Sequence, residues 1–297
     1  MKRSKQSSRF GKAPYYTLIP GLIIFLLFCI LPNLATFYYA LTDFNGVTIK
    51  AFVGLENFRY IGVKSGALLN SIKVSYLMAI MVTVFQNILG ILMAIFVSCK
   101  VKGSNFFRAV YFFPTALGIF SCAMLWNIML DGNYGPVTEL FRRLGIEVSF
   151  WGSKKSVYTI IVLQIWMTFG YAMTIYYANI TSVSEEILEA ASLDGATFWQ
   201  IVWYVLLPQM MPSIRSNALL SIIGALQLRD VIFLTTAGGP MNASMNLPML
   251  IYEEGFKNSR QGLASAYQVI HFALIFVSAL IVMAIARQIE RRNGYDD

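Results

Sequence analysis

Long stretches of this chain carry no charged residue, and the charges collect in the short connections between them. Five of these stretches exceed the ~20 residues that a helix needs to cross the hydrocarbon layer of a bilayer. They run over residues 13–42, 74–99, 109–130, 156–184 and 261–286. Their apolar residues are continuous and do not alternate with polar ones, which favours helices over the strands of a β-barrel. The pattern predicts five membrane-spanning helices.

A sixth span is predicted over residues 213–236, although charged residues interrupt its apolar sequence. Pro208 and Pro212 stand just before it and are typical of a helix start. Arg229 and Asp230 lie towards its other end, where mutual pairing or a polar cavity would stabilise them. As neighbours on a helix they are expected to point to different faces, which leaves structural and functional roles equally open.

Six spans predict an all-α integral membrane bundle with a single domain. The predicted parts are a basic N-terminal tail (1–14), a six-span domain (15–287) with an insert at 182–207, and a C-terminal tail (288–297). Positively charged residues collect on the cytoplasmic side of membrane proteins. The densest such cluster directly precedes the first span and contains Lys2, Arg3, Lys5, Arg9 and Lys12. Both termini and the insert are therefore predicted to be cytoplasmic.

Composition supports a membrane protein and excludes several other classes. The chain is 57% hydrophobic and 13% charged, whereas soluble domains average about 25% charged residues. The net charge of +8 has a sufficient explanation in the residues that flank the spans, so we expect no nucleic-acid partner. No phosphate-binding loop of the Gly-x-x-x-x-Gly-Lys-Ser/Thr type occurs, so any ATP must be hydrolysed by another chain.

Catalytic and metal-binding residues are not evident in the sequence. His271 is the single histidine, and a hydrogen bond between packed helices is favoured over proton relay for it. The separated Cys29, Cys99 and Cys122 cannot complete a tetrahedral metal site with one histidine. No pairing of nucleophile and base is apparent. The sequence predicts no enzyme activity and no metal.

The insert is unusual because its acidic residues are concentrated in a helix-forming segment between two spans. Ser182 and Glu185 fit a capping box that would start a first helix. Glu185 and Glu189 are expected to share a face of that helix. Asp194 and Gly195 predict a turn, and Asp194 is expected to cap a second short helix from residue 196 to about 206.

Two explanations of the insert remain open, and one is favoured. A helix resting on lipid would carry Lys or Arg on its polar face, and the first helix of the insert has neither. Small residues, by contrast, would let a partner approach the backbone closely. They are Ala190, Ala191, Gly195 and Ala196. Docking of a soluble protein is therefore favoured over a lipid-surface helix.

Polar residues within the spans form the second candidate site. Each costs free energy in lipid unless another helix or a wet cavity satisfies it. Singly, they are explained by hydrogen bonds between helices, whereas as a set they would line a translocation path. The residues that we predict for this path are Gln86, Asn87, Gln164, Asn217, Gln227, Arg229 and Asp230.

Three sequence motifs resemble one family of transporters. The first motif consists of Glu189-Ala190-Ala191, then Gly195, Val205 and Leu207-Pro208. It resembles the EAA loop of ABC-importer permeases, with Val205 where the family usually has Ile. The segments 234–240 (Leu-Thr-Thr-Ala-Gly-Gly-Pro) and 52–58 (Phe-Val-Gly-Leu-Glu-Asn-Phe) resemble those of the maltose-type carbohydrate permeases. The resemblance covers nearly the whole chain, and the three motifs in their order along the chain are strongly specific.

The resemblance implies a multi-pass, non-catalytic subunit of the bacterial cell membrane that transports sugars. The implied partners are a second permease, a cytoplasmic ATPase dimer that binds ATP and Mg, an extracellular solute-binding protein, the sugar and membrane lipid. No cofactor is expected in this chain itself. The residues implied to couple the permease to the ATPase are Glu185, Glu186, Glu189, Ala190, Ala191, Asp194, Gly195, Ala196, Leu207 and Pro208.

Other functions remain open at this point. A permease of the same class for a non-sugar solute, such as an organic phosphate, is the nearest alternative. A self-sufficient channel or ion-coupled carrier would transport solute without ATP. A membrane anchor for a soluble enzyme would bind a partner but transport nothing.

Overall fold

The computed structural model describes residues 18–99 and 103–292, and this part of the chain is mostly helical. The predicted N-terminal tail, Lys100, Lys102 and the last five residues of the C-terminal tail lie outside it. The helices are α1 (Ile19–Phe25), α2 (Leu31–Tyr39), α3 (Glu56–Val63), α4 (Ser65–Ser98), α5 (Ser104–Ala116), α6 (Ile119–Met129), α7 (Pro136–Arg143), α8 (Ser156–Ile180), α9 (Glu185–Leu193), α10 (Phe198–Ile201), α11 (Leu207–Leu226), α12 (Asp230–Thr235), α13 (Leu247–Tyr252) and α14 (Gln261–Arg292). Three π-helical segments connect or extend these helices. Leu26–Ile30 joins α1 to α2, Val202–Leu206 joins α10 to α11, and Glu253–Lys257 extends α13.

Four of the predicted spans coincide with helices that are long and apolar enough to cross a membrane. They are Ile19–Tyr39, Ser65–Ser98, Ser156–Ile180 and Gln261–Ile289. The third predicted window, 109–130, corresponds to α5 and α6, which meet at an angle of 96°. Gly118 separates them with a φ of +51°, a conformation that suits glycine. This window is therefore a bent pair of helices rather than the single straight span that was predicted.

The predicted span 213–236 is also interrupted. Helix α11 ends at Leu226 and α12 starts at Asp230. Non-helical backbone at membrane depth is stable only where protein covers it or where it lines a wet cavity. Two of the six predicted spans are therefore interrupted in the part of the chain that the structure describes.

A short β-hairpin is an exception within the mostly helical structure that was predicted. Strands β1 (Thr42–Phe44) and β2 (Ile49–Phe52) pair in antiparallel fashion. In the turn, the Asn45 side-chain oxygen accepts hydrogen bonds from the backbone N–H groups of Val47 (3.0 Å) and Thr48 (2.9 Å). Asn45-Gly46 is a strong hairpin signal that the sequence interpretation did not use.

The core is built by α4, α8 and α11, with apolar clusters towards its two ends. Met78 of α4 and Ile160 of α8 belong to one cluster, together with Leu226 at the end of α11. Ala94 and Tyr176, much further along α4 and α8, belong to the other. Helices α4 and α8 therefore run in parallel and α11 runs opposite to them. This direction places the insert at the end of the bundle where α4 and α8 finish.

The helix from Ile19 to Tyr39 lies at the edge of the bundle. No residue of its apolar window is buried, and Phe28 is 74% exposed. It contacts α14 through an edge-to-face pair of Phe37 and Phe272, whose ring centroids are 6.0 Å apart. Such a surface needs lipid or another apolar chain to cover it.

Candidate functional site

A polar pocket lies where the α5–α6 bend and the α11–α12 break meet the middle of α8. It has a volume of about 300 Å³ and joins the α5–α6 bend, α8 and the α11–α12 break. Its polar lining residues are Thr115, Gln164, Thr168, Gln227, Arg229 and Asp230. Four of the seven residues predicted for the translocation path thus come together. The broken helices bring polar groups to this depth in an otherwise apolar bundle.

Hydrogen bonds inside the pocket wall fix two of its hydroxyl groups. The Thr115 hydroxyl donates to the backbone carbonyl of Met167 (2.7 Å) and so ties the α5–α6 bend to α8. The Thr168 hydroxyl has two acceptors, the Gln164 carbonyl (2.7 Å) and the Gln86 side-chain oxygen (2.9 Å). Gln86 is buried on α4, so it supports the pocket wall from behind.

Arg229 and Asp230 pair with each other at the start of α12. The guanidinium donates twice to one Asp230 carboxylate oxygen, over 2.9 and 2.6 Å. The same guanidinium lies over the Tyr252 ring, 5.4 Å from its centroid. Because Arg229 precedes α12 and is not part of a helix, the prediction that the two side chains point to different helix faces is wrong. The pocket therefore holds a charge pair whose members neutralise each other.

Asn87 and Asn217 lie in a separate, buried network that joins α4, α8 and α11. The Asn87 side-chain oxygen accepts from the Tyr176 hydroxyl and from the Asn217 amide (3.1 Å). The Asn87 amide donates to the Thr83 carbonyl (2.6 Å) and to the Ser221 hydroxyl (3.2 Å). Asn87 and Asn217 do not line the polar pocket, and their contacts are those of a helix-packing network. Their role in a translocation path stays a prediction.

His271 joins two helices, as the sequence interpretation favoured. It is buried on α14, and its Nε2 lies 3.2 Å from the carbonyl oxygen of Leu226 at the end of α11. Among residues 18–99 and 103–292, no three His, Cys, Asp or Glu side chains come together as a metal site would require.

The insert projects from the bundle as α9 followed by α10. None of the α9 residues is buried, whereas Leu188 packs against the second apolar cluster and attaches the helix to the body. Gly195 ends α9 with a φ of +81°. Its N–H donates to Ser192, and the Ala196 N–H donates to the Ala191 carbonyl, both over 3.1 Å. This pair of bonds is a Schellman cap, so the predicted break at Asp194-Gly195 is confirmed.

Both predicted helix starts in the insert were misplaced. The N-cap of α9 is Ser184, and the Ser182 hydroxyl donates to the Asn179 carbonyl (2.7 Å) instead of capping the helix. The second helix starts after Thr197, whose backbone N–H donates to the Gln200 side chain (2.7 Å) in a capping box. That helix also does not end near residue 206 as predicted, because it continues through a π-helical segment into α11.

Five of the ten residues implied to couple to an ATPase line two surface depressions on the insert, and Glu186, Ala190, Ala191, Leu207 and Pro208 line neither. Glu185 and Glu189 share one with Leu188, Ser192 and Leu193, with a volume of about 530 Å³. The other, of about 290 Å³, is lined by Asp194, Gly195, Ala196, Gln200, Tyr204 and Val205. The fold thus brings the Gly195 and Val205 parts of the sequence motif to one surface.

Sequence reasoning missed three components of the polar pocket: Thr115, Thr168 and Gly118. Threonine in a span is a weak signal, since its hydroxyl can bond to the preceding helical turn. Thr168 does bond to the carbonyl four residues earlier. Gly118 was the more useful signal, because an isolated glycine after a proline, here Pro114, marks a possible break in a helical span.

Comparison with known proteins places the chain among membrane transport subunits. The family described as "binding-protein-dependent transport system inner membrane component" matches residues 86–294. The multiple sugar-binding transport system permease protein MsmF of Streptococcus mutans is 30% identical over 92% of this chain and 94% of its own length. The sn-glycerol-3-phosphate transport system permease protein UgpA of Agrobacterium fabrum is 26% identical over 95% and 96%.

Solved structures of one transporter share the fold. A chain of a bacterial ABC transporter involved in the import of the acidic polysaccharide alginate aligns with a TM-score of 0.82 and 22% identity, covering 93% of this chain and 95% of its own. The complex of an alginate ABC transporter with an alginate pentasaccharide-bound periplasmic protein gives a TM-score of 0.79. The family match covers most of the chain, and MsmF is 30% identical over nearly all of it. The chain belongs to the family of binding-protein-dependent transport system inner membrane components, the non-catalytic permease subunits of ABC transporters.

Proposed function

We propose that this chain imports a sugar or oligosaccharide as one of two permeases in an ATP-driven transporter that works by alternating access. The polar pocket is the observation that carries the proposal. It combines side-chain amides and hydroxyls with charged groups half-way along α8. Binding sites of membrane transporters are built where interrupted helices meet near the middle of the bilayer. The names of the sugar permeases among its relatives support the solute class.

The charge balance of the pocket favours a neutral ligand over an organic phosphate. Arg229 directs two hydrogen bonds to Asp230, so an anion gains little net attraction from the pair. Gln164 and Gln227 offer amide donors and acceptors that match the hydroxyl groups of a sugar. The similarity to UgpA makes glycerol phosphate the solute to test against.

The proposed topology has six spans within residues 15–287. The pair α5–α6 forms the third span, α11–α12 the fifth and α14 the sixth. With an even number of spans, the tails 1–14 and 288–297 lie on the same side as the insert. The basic N-terminal segment supports a cytoplasmic location for that side.

The path of coupling follows a single helix. Helix α10 continues through Val202–Leu206 into α11, and α11 ends next to Gln227 in the polar pocket. A cytoplasmic ATPase dimer that binds ATP and Mg and grips the insert would therefore move the pocket wall through α11. An extracellular binding protein would deliver the solute to the opposite end of the bundle.

The test is solute uptake by the complete transporter in proteoliposomes, with ATP on the side of the ATPase. Neutral oligosaccharides, alginate oligosaccharides and sn-glycerol 3-phosphate are compared as radiolabelled solutes. Replacing Gln164 or Gln227 with Ala removes one or two hydrogen bonds to the ligand. At about 0.5–1.5 kcal/mol each, the loss of one bond weakens the apparent affinity for a sugar by about 2–12-fold, and the loss of two weakens it by up to about 150-fold.

Gln268→Ala is the matched control, because Gln268 is exposed on α14 and does not line the polar pocket. It should leave the apparent affinity unchanged. Sugar uptake without ATP would favour a self-sufficient carrier, and uptake of glycerol phosphate alone would favour the non-sugar alternative. Binding of partners with no uptake of any solute would favour a membrane anchor.

A further inference from the structure

An apolar groove of about 580 Å³ lies between α6, α7 and α8. It shares no lining residue with the polar pocket. Its walls include aromatic and long aliphatic side chains from all three helices. Those used below are Trp126 and Met129 of α6, Phe141 of α7, and Tyr158, Val162 and Trp166 of α8.

The groove runs along a membrane-spanning helix. Tyr158, Val162 and Trp166 follow one another at intervals of four residues, so they line one face of α8. At 1.5 Å per residue, the distance from Tyr158 to Trp166 is about 12 Å along the helix axis. The helix starts at Ser156, so one end of the groove is at the membrane surface. The long axis of the groove therefore runs in the same direction as the acyl chain of a lipid in the bilayer.

Helix α7 closes the surface end of the groove. Val137 and Phe141 face into the groove, whereas the side chains of Arg142 and Arg143 are 52% and 76% exposed. An apolar face towards the groove and a charged face towards water are typical of a helix that lies at the membrane interface.

Basic side chains occur on the elements that form this end of the groove, α7 and the segment just before α8. Glu139 accepts hydrogen bonds from Arg143 (3.1 Å) and Arg142 (2.7 Å), and the bond from Arg143 is the main reason that its pKa is lowered. Lys154 and Lys155 directly precede α8 and are exposed. Among the described residues, neither lysine side chain has an ion-pair partner.

Acidic side chains in the same connection are largely satisfied within the protein. The Asp131 carboxylate accepts from the backbone N–H groups of Tyr134 and Asn133, both over 2.9 Å, which lowers its pKa. Glu139 is held by the two arginines, and Glu147 is exposed. Among the described residues of this connection, the two lysines are therefore the basic groups that no carboxylate pairs with.

We propose that the groove binds an anionic phospholipid, with one acyl chain against Val162 and Trp166 and the phosphate held by Lys154 and Lys155. An apolar groove on a membrane-spanning helix faces the hydrocarbon of the bilayer. Aromatic residues at the end of the groove near the membrane surface are typical of the headgroup region. The lysines give the preference for an anionic headgroup, worth about 1 kcal/mol, or fivefold in affinity, for each basic residue near the surface. This site is independent of the solute that the polar pocket transports.

The experiment measures lipid retention by native mass spectrometry. Nanodiscs are prepared with the full-length chain and the subunits that co-purify with it. They contain equal molar amounts of phosphatidylcholine and phosphatidylglycerol, and the two lipids have the same acyl chains. The unchanged protein should retain phosphatidylglycerol in preference to phosphatidylcholine. Lys154→Gln combined with Lys155→Gln should reduce that retention by about 25-fold. The control Lys50→Gln with Arg59→Gln removes two exposed basic residues outside the groove and should have no effect.

A second variant tests the groove itself. Val162 is 54% exposed, so Val162→Trp can fill the groove without entering the core and should also abolish retention. The idea is overturned if both lipids are retained equally, if the lysine pair has no effect, or if Val162→Trp keeps the lipid. It is also overturned if a photo-crosslinker at position 162 captures the second permease instead of lipid.

Discussion

Gly170 lies where α8 approaches α5 too closely for any side chain. A Cβ atom at this position would lie 2.1 Å from the backbone oxygen of Tyr111 and 2.8 Å from its carbonyl carbon. Those neighbours belong to the backbone and cannot rotate away. The contact holds α5 against α8 just beside the bend that forms the polar pocket, so its geometry matters for the pocket as well as for packing.

Gly170→Ala should therefore destabilise the protein. Overpacking of this kind costs about 1–3 kcal/mol, and we expect a lower midpoint of thermal unfolding in detergent. Gly66→Ala is the control, because a Cβ at Gly66 meets no atom within 4 Å and alanine favours a helix by up to about 1 kcal/mol over glycine. An equal midpoint for the two variants would contradict this account of α5 and α8.

Single polar residues in the spans were predictable from the sequence, but their division into two sites was not. Gln164 and Asn217 are similar amides in similar apolar surroundings. Gln164 lines the polar pocket, whereas Asn217 is 1% exposed and bonds to Asn87. Only the way in which α4, α8 and α11 pack decides which amide meets a cavity, and a sequence pattern carries no information on that packing.

Among the helices, the insert gives the sharpest prediction, since Gly195 sets the angle between α9 and α10. Proline fixes φ near −65° and lacks the N–H, whereas Gly195 has a φ of +81° and donates to Ser192. Gly195→Pro should break the Schellman cap, because proline can neither adopt this φ nor donate the hydrogen bond. Glu189→Lys should reverse a charge on the exposed face of α9. Both should reduce co-purification of the ATPase and ATP-driven uptake while the chain still inserts in the membrane.

Gly145→Pro provides the matched control. Gly145 ends α7 with a φ of +75°, and its N–H donates to Arg142 while that of Ile146 donates to Phe141, both over 3.0 Å. The same cap is thus lost at the opposite end of the bundle. ATPase association should survive in this variant. Unimpaired uptake and ATPase binding in both insert variants would refute the coupling role.

Broken helices were harder to predict than straight ones. Charge-free windows locate spans because charges are costly in hydrocarbon, but they do not record changes of helix direction. Gly118 was a local signal for the bend, whereas the bond from Thr115 to Met167 that ties the bend to α8 joins residues far apart in the sequence. The hairpin at Asn45 differs, since its Asn-Gly signal is local and was available in the sequence.

For the molecule as a whole, hydropathy and the position of charges were enough to predict a helical membrane bundle. The comparisons confirm the family that the three motifs indicated. The prediction of which side faces the cytoplasm depends on a weaker signal. Lys and Arg are divided almost evenly between the two predicted sides of the membrane, so the dense cluster before the first span decides the prediction. The orientation therefore needs its own experiment.

Cysteine labelling can test the orientation at two equally accessible positions. Leu193 in the insert is 88% exposed, and Val47 in the hairpin at the opposite end is 87% exposed. Each is changed to Cys in a chain whose Cys29, Cys99 and Cys122 are replaced by Ala. A membrane-impermeant maleimide should label Val47→Cys in intact cells and leave Leu193→Cys unlabelled. Inside-out vesicles stripped of peripheral proteins should give the reverse. Labelling of Leu193→Cys from outside would place the insert beyond the reach of a cytoplasmic ATPase and overturn the proposed coupling.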